Sequence, residues 1–218
     1  MQTSDSHRLA VLVVDDHAIV RVGLKRLLEG ISSEWSVQEA ASSSAALEAL
    51  RYDRFDIAII DLSMPGMSGL ELVRRARVAS AELRMLVLSM HDEEQYAVRA
   101  FRAGANGYVT KDNATRELAN AVRKVAGGGT YVSPGLAERL VLQMNGAVEA
   151  PPHHTLSDRE LDVLRRMVSG HRVTDIAETL HLSVKTISTH KSRILEKLRL
   201  PNTAAMFRYA IEHGLVAD

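Results

Sequence analysis

Two periodicities divide the 218-residue chain into a parallel α/β domain followed by a small all-helical one. Up to about residue 126, short β-rich apolar runs alternate with longer segments whose apolar residues recur every three or four positions. That alternation predicts a five-stranded parallel sheet covered by helices on both faces. Beyond residue 155 only helical spacing remains. Between the two lies NGAVEAPPHHT, with small residues, two prolines and no period, and residues 145–155 are therefore expected to be a linker.

The expected strands are residues 9–14, 37–41, 57–60, 85–88 and 107–109. Helical segments separate them, with Val20, Leu24, Leu27 and Leu28 on one stripe and Leu118, Val122 and Val125 on another. Gly127, Gly128 and Gly129 stop the last of these helices, and residues 136–144 read as one more short helix. In the second part, Ser157 and Glu160 have capping-box spacing, and Leu156 and Leu161 are placed for a hydrophobic staple. Gly170 ends that helix. A second is expected over residues 174–180, a third from Val184, capped by Ser183, to about Leu198, and a fourth over residues 203–213 after Pro201 and Asn202. The predicted domains are thus residues 1–126, a linker with a short helix over 127–155, and residues 156–218.

Composition narrows the function classes. The absence of cysteine excludes a disulfide framework, a thiolate zinc site and a cysteine nucleophile. No apolar run approaches the roughly 18 residues that span a bilayer, and the polar start MQTSDSHR lacks the core of a secretion signal, so a cytoplasmic protein without membrane contact is expected. Lys plus Arg and Asp plus Glu are equal at 27 each, but residues 155–218 carry ten basic against eight acidic residues. From Lys185 to Arg199 there are five basic residues, opposed by Glu196 alone.

In open α/β sheets, chemistry gathers beyond the carboxyl ends of the strands. The first strand delivers Asp15 and Asp16 to that edge, the third delivers Asp61, the fourth Ser89, and the fifth is followed by Lys111. Three converging carboxylates repel one another, and a hard divalent cation relieves the repulsion. Oxygen ligands without cysteine favour Mg2+. A phosphoryl group on Asp61 would then meet the cation, the Lys111 ammonium and the Ser89 hydroxyl. Any one of these residues alone reads as a solvated turn residue; five suitable groups in the right order do not.

On these residues, the stretches VLVVDDH, IIDLSMPGMSGLEL, VLSM and AGANGYVTKD make residues 9–126 resemble the receiver domain of two-component response regulators, a flavodoxin-like fold. The resemblance implies that Asp61 accepts phosphate, that Asp16 binds Mg2+ directly and Asp15 chiefly through water, and that Ser63 lends its backbone carbonyl. It also implies that Lys111 bridges the phosphate and that Ser89 and Tyr108 report phosphorylation by reshaping the surface of the fourth helix, fourth strand and fifth helix. Two positions that tune phosphate lifetime in this family are here Ser63 and His91. An aspartyl-phosphate hydrolase is the rival reading, but it wants an acid where Ser63 stands. Slow self-dephosphorylation rather than enzymatic turnover is expected.

On a wheel of residues 184–198, Ile187, Ile194 and Leu198 form an apolar stripe with Leu195 beside it. The opposite arc carries Lys185, Thr189, Ser192, Arg193 and Glu196, with Ser188 and Lys197 at its margins. Such residues bond phosphates and base edges. VTDIAETLHLSVKTISTHKSRILEKL reads as helix, tight turn and helix, the geometry that lays a second helix in the DNA major groove. With LSDRELDVLRRMVSG and NTAAMFRYA, it makes residues 156–216 resemble the LuxR-type helix-turn-helix. By that resemblance Ser188, Thr189 and Ser192 face bases, and Lys185, Thr186, Lys191, Arg193 and Lys197 mainly hold phosphates. His190 is expected to pack, and His153 and His154 to belong to the linker.

Receiver and helix-turn-helix together are similar to the NarL/FixJ family of response regulators. The resemblance implies a transcription regulator phosphorylated on Asp61 by a sensor histidine kinase, with the receiver masking the recognition helix until phosphate arrives. It further implies a homodimer, when phosphorylated, on double-stranded DNA with paired half-sites, meeting through the last helix around Met206 and Tyr209. A DNA-binding protein governed by a partner rather than by phosphate is the second rival.

Overall fold

A computed structural model describes residues 9–90, 94–144 and 151–215, in two compact units that divide at residues 145 and 146. The first unit runs β1 (Leu9–Val14), α1 (Ala18–Ile31), β2 (Trp35–Ala40), α2 (Ser43–Tyr52), β3 (Ile57–Asp61), α3 (Gly69–Ala79), β4 (Arg84–Ser89), α4 (Glu94–Ala103), β5 (Gly107–Thr110), α5 (Ala114–Ala126), β6 (Tyr131–Val132) and α6 (Pro134–Met144). Its strands are all parallel, in the order β2-β1-β3-β4-β5-β6.

Strand residues alternate between faces, and here both faces are buried. Val11, Val13, Ile57, Ile59, Leu86, Leu88 and Val109 pack with Leu24 and Leu28 of α1 and with Leu118, Val122 and Val125 of α5. The alternate residues Leu12, Ala58, Ile60, Met85 and Val87 are equally buried, as are Leu72, Val73 and Ala76 of α3. Burial on both faces is why β1 and β3 read as unbroken apolar runs rather than alternating ones. Beyond the expected five strands, β6 pairs with β5 through Gly107 and Tyr131. Two residues offer no period to read, and the glycines before them look like a loop. Residues 131–144 therefore lie within the first unit, with Leu136 of α6 buried.

The second unit contains a 3-10 turn (Pro152–Thr155) and then α7 (Asp158–Val168), α8 (Val173–Thr179), α9 (Val184–Lys197) and α10 (Thr203–Glu212). The capping box at Ser157 is formed: the Ser157 N–H donates to Glu160 at 2.7 Å and the Glu160 N–H donates to the Ser157 hydroxyl at 3.3 Å. Leu161, Leu164 and Met167 of α7, Ile176 of α8, Ile187 and Ile194 of α9, and Met206 of α10 make the core. The turn after α8 places His181 at φ +52°, a left-handed residue that reverses the chain between α8 and α9. Of the linker expected at residues 145–155, residues 145–150 lie outside the described residues, and residues 152–155 are the turn that opens this unit.

Candidate functional site

The sheet order reverses direction between β1 and β3, the place where a parallel α/β sheet opens a crevice at its carboxyl edge. Asp15 follows β1 and Asp61 is the last residue of β3, so both carboxylates enter that crevice from neighbouring strands. Both residues are 1% exposed. Ser89 ends β4 beside Thr110 of β5, and Lys111 begins the 3-10 turn that follows β5. Ser89 and Tyr108 are fully buried.

The acids are not equivalent. Asp15 is occupied on both oxygens: Oδ1 accepts the His17 N–H at 2.8 Å, and Oδ2 accepts from Lys111 Nζ at 2.7 Å. Its backbone carbonyl also accepts from Arg21 at 2.7 Å, and Arg21 reaches Glu39 on β2 at 3.5 Å, which ties the loop after β1 to the sheet. Asp61 Oδ1 accepts the Ser63 N–H at 3.2 Å, while Oδ2 lies 3.0 Å from Lys111 Nζ. The directed hydrogen bond of that ammonium goes to Asp15, so Asp61 Oδ2 feels its charge without a well-aligned hydrogen. Asp16 Oδ1 is likewise buried without a hydrogen bond.

Burial raises the pKa of Asp61, and the neighbouring Asp15 adds to the rise against the opposing pull of Lys111. Burial draws the Lys111 ammonium downward, but Asp61 and Asp15 more than reverse this and leave it raised. The crevice thus holds more negative charge than one lysine offsets. Carboxylate oxygens of Asp15, Asp16 and Asp61 and a His17 nitrogen lie within 4.8 Å of one another. Two buried oxygens without hydrogen bonds in a hard-donor set fit a divalent cation held by oxygen.

Gly69, which carries no chemistry, was not singled out by sequence reasoning. It opens α3 so close to the end of β3 that a Cβ there would overlap the Asp61 carbonyl oxygen. The Gly69 N–H donates to the Leu62 carbonyl at 3.1 Å, and Ser68 caps the same helix. Its signal in the sequence is the glycine seven residues before the end of an apolar helix stripe. Arg21 was also missed. His91 falls outside the described residues.

On α9, the side chains of Lys185, Ser188, Thr189, Ser192, Arg193 and Lys197 are exposed, with Thr186 and Lys191 half-buried. Ser188, Thr189 and Ser192 donate their hydroxyl hydrogens to the carbonyls of Val184, Lys185 and Ser188 at 2.9, 3.0 and 3.1 Å. Their outward lone pairs are therefore acceptors. Lys197 differs from the other cations: its Nζ lies 2.6 Å from Glu160 Oε2 and joins α9 to the cap of α7. Glu160 is buried, and Lys197 together with the Ser157 cap overcomes that burial and lowers its pKa. His190 is half-buried, and burial lowers its pKa.

Two expectations about the ends of this unit change. His153 is buried, its N–H and Nδ1 lying 3.1 and 2.9 Å from the Tyr209 hydroxyl, with Tyr209 stacked on His213 at 4.0 Å. A residue expected in a linker therefore anchors α10. Met206 is wholly buried, so it fills the core rather than offering a dimer surface. The large apolar side chain that α10 leaves exposed among the described residues is Ile211, at 69%. No helix among the described residues is long and apolar enough to cross a membrane.

Comparison with known proteins places both units. Residues 11–123 match the response regulator receiver domain, and residues 154–210 match the bacterial regulatory proteins of the luxR family. The chain is 34% identical to the response regulator UvrY of Escherichia coli K12, over 94% of each chain. It is 34% identical to the response regulator GacA of Pseudomonas aeruginosa, over 95% of this chain and 98% of that one. Among solved structures it is similar to RcsB of Salmonella enterica serovar Typhimurium bound to promoter rprA in the presence of the phosphomimetic BeF3−. There the TM-score is 0.65 and the identity 29%, over 93% of this chain and 98% of that one.

Proposed function

This chain belongs to the two-component transcriptional response regulators that join a receiver domain to a LuxR-family DNA-binding domain, and from that premise we propose that phosphate is taken up on Asp61 and switches DNA binding. The observation that carries the assignment is the crevice itself. Asp61 is buried beside Asp15, Asp16 and Lys111, with two carboxylate oxygens lacking hydrogen bonds.

Asp16 and Asp61, together with the Ser63 carbonyl, would hold Mg2+ directly, and Asp15, whose oxygens are already engaged, through water. The cation, when bound, neutralises charge on the phosphoryl oxygens and on the carboxylates around them. Lys111 neutralises charge from the other side, and its flexible stem lets it turn from Asp15 and Asp61 to a phosphoryl oxygen. Ser89 offers a hydroxyl from the next strand. Tyr108, buried behind it, answers movement of Ser89 and passes it toward α4.

The phosphate donor is a sensor histidine kinase, and loss of phosphate is slow hydrolysis at Asp61 without turnover of a separate substrate. Phosphorylation biases the population toward a form that dimerises on paired DNA half-sites. In that form Lys185, Thr186, Lys191 and Arg193 hold phosphates, while Ser188, Thr189 and Ser192 present acceptors to base amino groups. RcsB, solved on promoter DNA in the presence of a phosphomimetic, supports by similarity a DNA-bound form compatible with phosphorylation.

The test is binding to genomic DNA fragments with and without a small phosphodonor plus Mg2+, comparing the parent with Asp61→Asn. Donor-dependent tightening and dimerisation in the parent alone are expected. Equal binding by parent and variant, whatever the donor, overturns the assignment and hands control to a partner protein.

A further inference from the structure

The crevice contains one donor that the phosphate-switch reading does not use. His17 follows the acid pair, and its own N–H, bonded to Asp15 Oδ1 at 2.8 Å, turns its ring back over the two carboxylates. Its Nδ1 lies 3.3 Å from Asp15 Oδ1 and 3.0 Å from Asp16 Oδ1. The second of these contacts is not a hydrogen bond, since Asp16 Oδ1 has none. The Nδ1 hydrogen points instead at Asp15 Oδ1, which can only accept, so a cation that takes Nδ1 leaves the ring proton on the other nitrogen and meets Asp16 Oδ1 3.0 Å away.

That separation has a simple geometric meaning. Around a six-coordinate ion with bonds of about 2.1 Å, neighbouring donor atoms stand about 3 Å apart and opposite ones about 4.2 Å. The Asp16–His17 separation of 3.0 Å is the length of a polyhedron edge, and the 4.8 Å spread of the four donors is little more than its diagonal. His17 is 62% exposed in its side chain, so the ring can make the small final adjustment without disturbing the core.

We propose that His17 is a nitrogen ligand of the cation site, so that the protein binds Mn2+ and the later first-row divalent ions more tightly than Mg2+. Imidazole is a donor that such ions prefer and Mg2+ does not, and affinity at a mixed N and O site rises along the series from Mn2+. The inference rests on reading Asp15, Asp16 and Asp61 as the cation site, and it adds which ions that site selects.

Electron paramagnetic resonance of Mn2+ on the full-length protein separates the two. Loss of the free-ion signal counts bound Mn2+, and pulsed measurement of nitrogen hyperfine coupling asks whether an imidazole is bonded to it. The expected result is one coupled nitrogen in the parent, absent in both His17→Ala and His17→Gln. Those variants should lose roughly tenfold in Mn2+ affinity, while Mg2+ affinity by competition stays within about twofold. Mn2+ bound without nitrogen coupling, or coupling that persists in the variants, overturns the role of His17 and leaves the acid site standing. Failure of the parent to bind Mn2+ at all overturns the acid site and His17 with it.

Discussion

The carboxyl edge of the sheet and the outer face of α9, the two surfaces proposed to act, are built in opposite ways. At the sheet edge, Asp15 and Asp61 are buried, and they lie just past or at the end of paired strands. On α9 the corresponding groups are exposed, and three of them are hydroxyls bonded only to their own helix. Unpaired charge in the interior is costly, so a buried edge with more carboxylates than ammonium groups is poised for a cation to complete it. An exposed face can wait for DNA to supply its partners. Substitutions at the edge should therefore disturb fold and function together, whereas those on α9 should separate the two.

Gly69 gives the largest contrast. A Cβ would overlap the Asp61 carbonyl oxygen, and that neighbour is backbone with no rotamer to yield. Gly69→Ala should cost about 2–3 kcal/mol of receiver stability, the scale of forced overpacking. It should also displace Asp61 enough to slow phosphate uptake from a small donor. The matched change on α9, Ser188→Ala, should leave stability within about 0.5 kcal/mol while altering which DNA fragments bind. Urea unfolding of both variants beside phosphorylation and DNA-binding assays checks the pair. Equal stability of the two would erase the distinction drawn between edge and face.

Lys197 sits where the distinction can be sharpened, because it lies on the helix proposed to face DNA yet is bonded like an interior residue. Lys197→Met leaves the buried Glu160 carboxylate without its ammonium. With the lysine 39% exposed, the cost should be about 1–2 kcal/mol, below that of a fully buried pair. The loss has a pH signature. Glu160 has a lowered pKa in the fold, so its stabilisation is present above the ordinary carboxylate pKa and fades as pH falls through the lowered one. In Lys197→Met that acid-side fading should shrink. The salt dependence of DNA binding should hardly change, whereas Lys185→Met should reduce its slope by about one.

What the sequence made legible follows the same division. Asp15, Asp61, Ser89 and Lys111 could be placed because each lies at or just past the end of an apolar run, and parallel pairing brings such ends to one edge. Ile187, Ile194 and Leu198 could be placed because a helix repeats its faces. Constraints that act across the chain were not legible. Gly69 matters through a backbone it touches rather than through chemistry of its own. Lys197 meets Glu160, 37 residues earlier, so a helical wheel shows its charge and hides its partner. His153 stands in a proline-rich stretch that reads as linker, and only the packing of Tyr209 reveals it as an anchor. Met206 shares a wheel with Ile211, and nothing local says which of the two is inside.

The smallest expected effect is the one that tests whether the edge is held under electrostatic tension. Asp61 has a pKa raised mainly by burial, so the folded protein binds its proton more tightly than the unfolded chain does. Stability therefore falls as pH rises from the ordinary carboxylate pKa through the raised one, and above that point the ionised carboxylate is a standing cost. Asp61→Asn keeps the shape and removes the charge, while Lys111 retains Asp15 at 2.7 Å. Without metal, the variant should be more stable than the parent by about 1 kcal/mol at neutral pH, the ordinary scale of a single substitution. The difference should vanish in acid, where both side chains are neutral. Added Mg2+ should close it from the other side, because a cation that binds only the folded parent stabilises it by mass action and gains less from the variant. Thermal unfolding across pH, with and without Mg2+, reads all three arms. A parent more stable than Asp61→Asn at neutral pH without metal would mean that Lys111 alone already balances the crevice, and the buried edge would then be no more strained than the exposed face of α9.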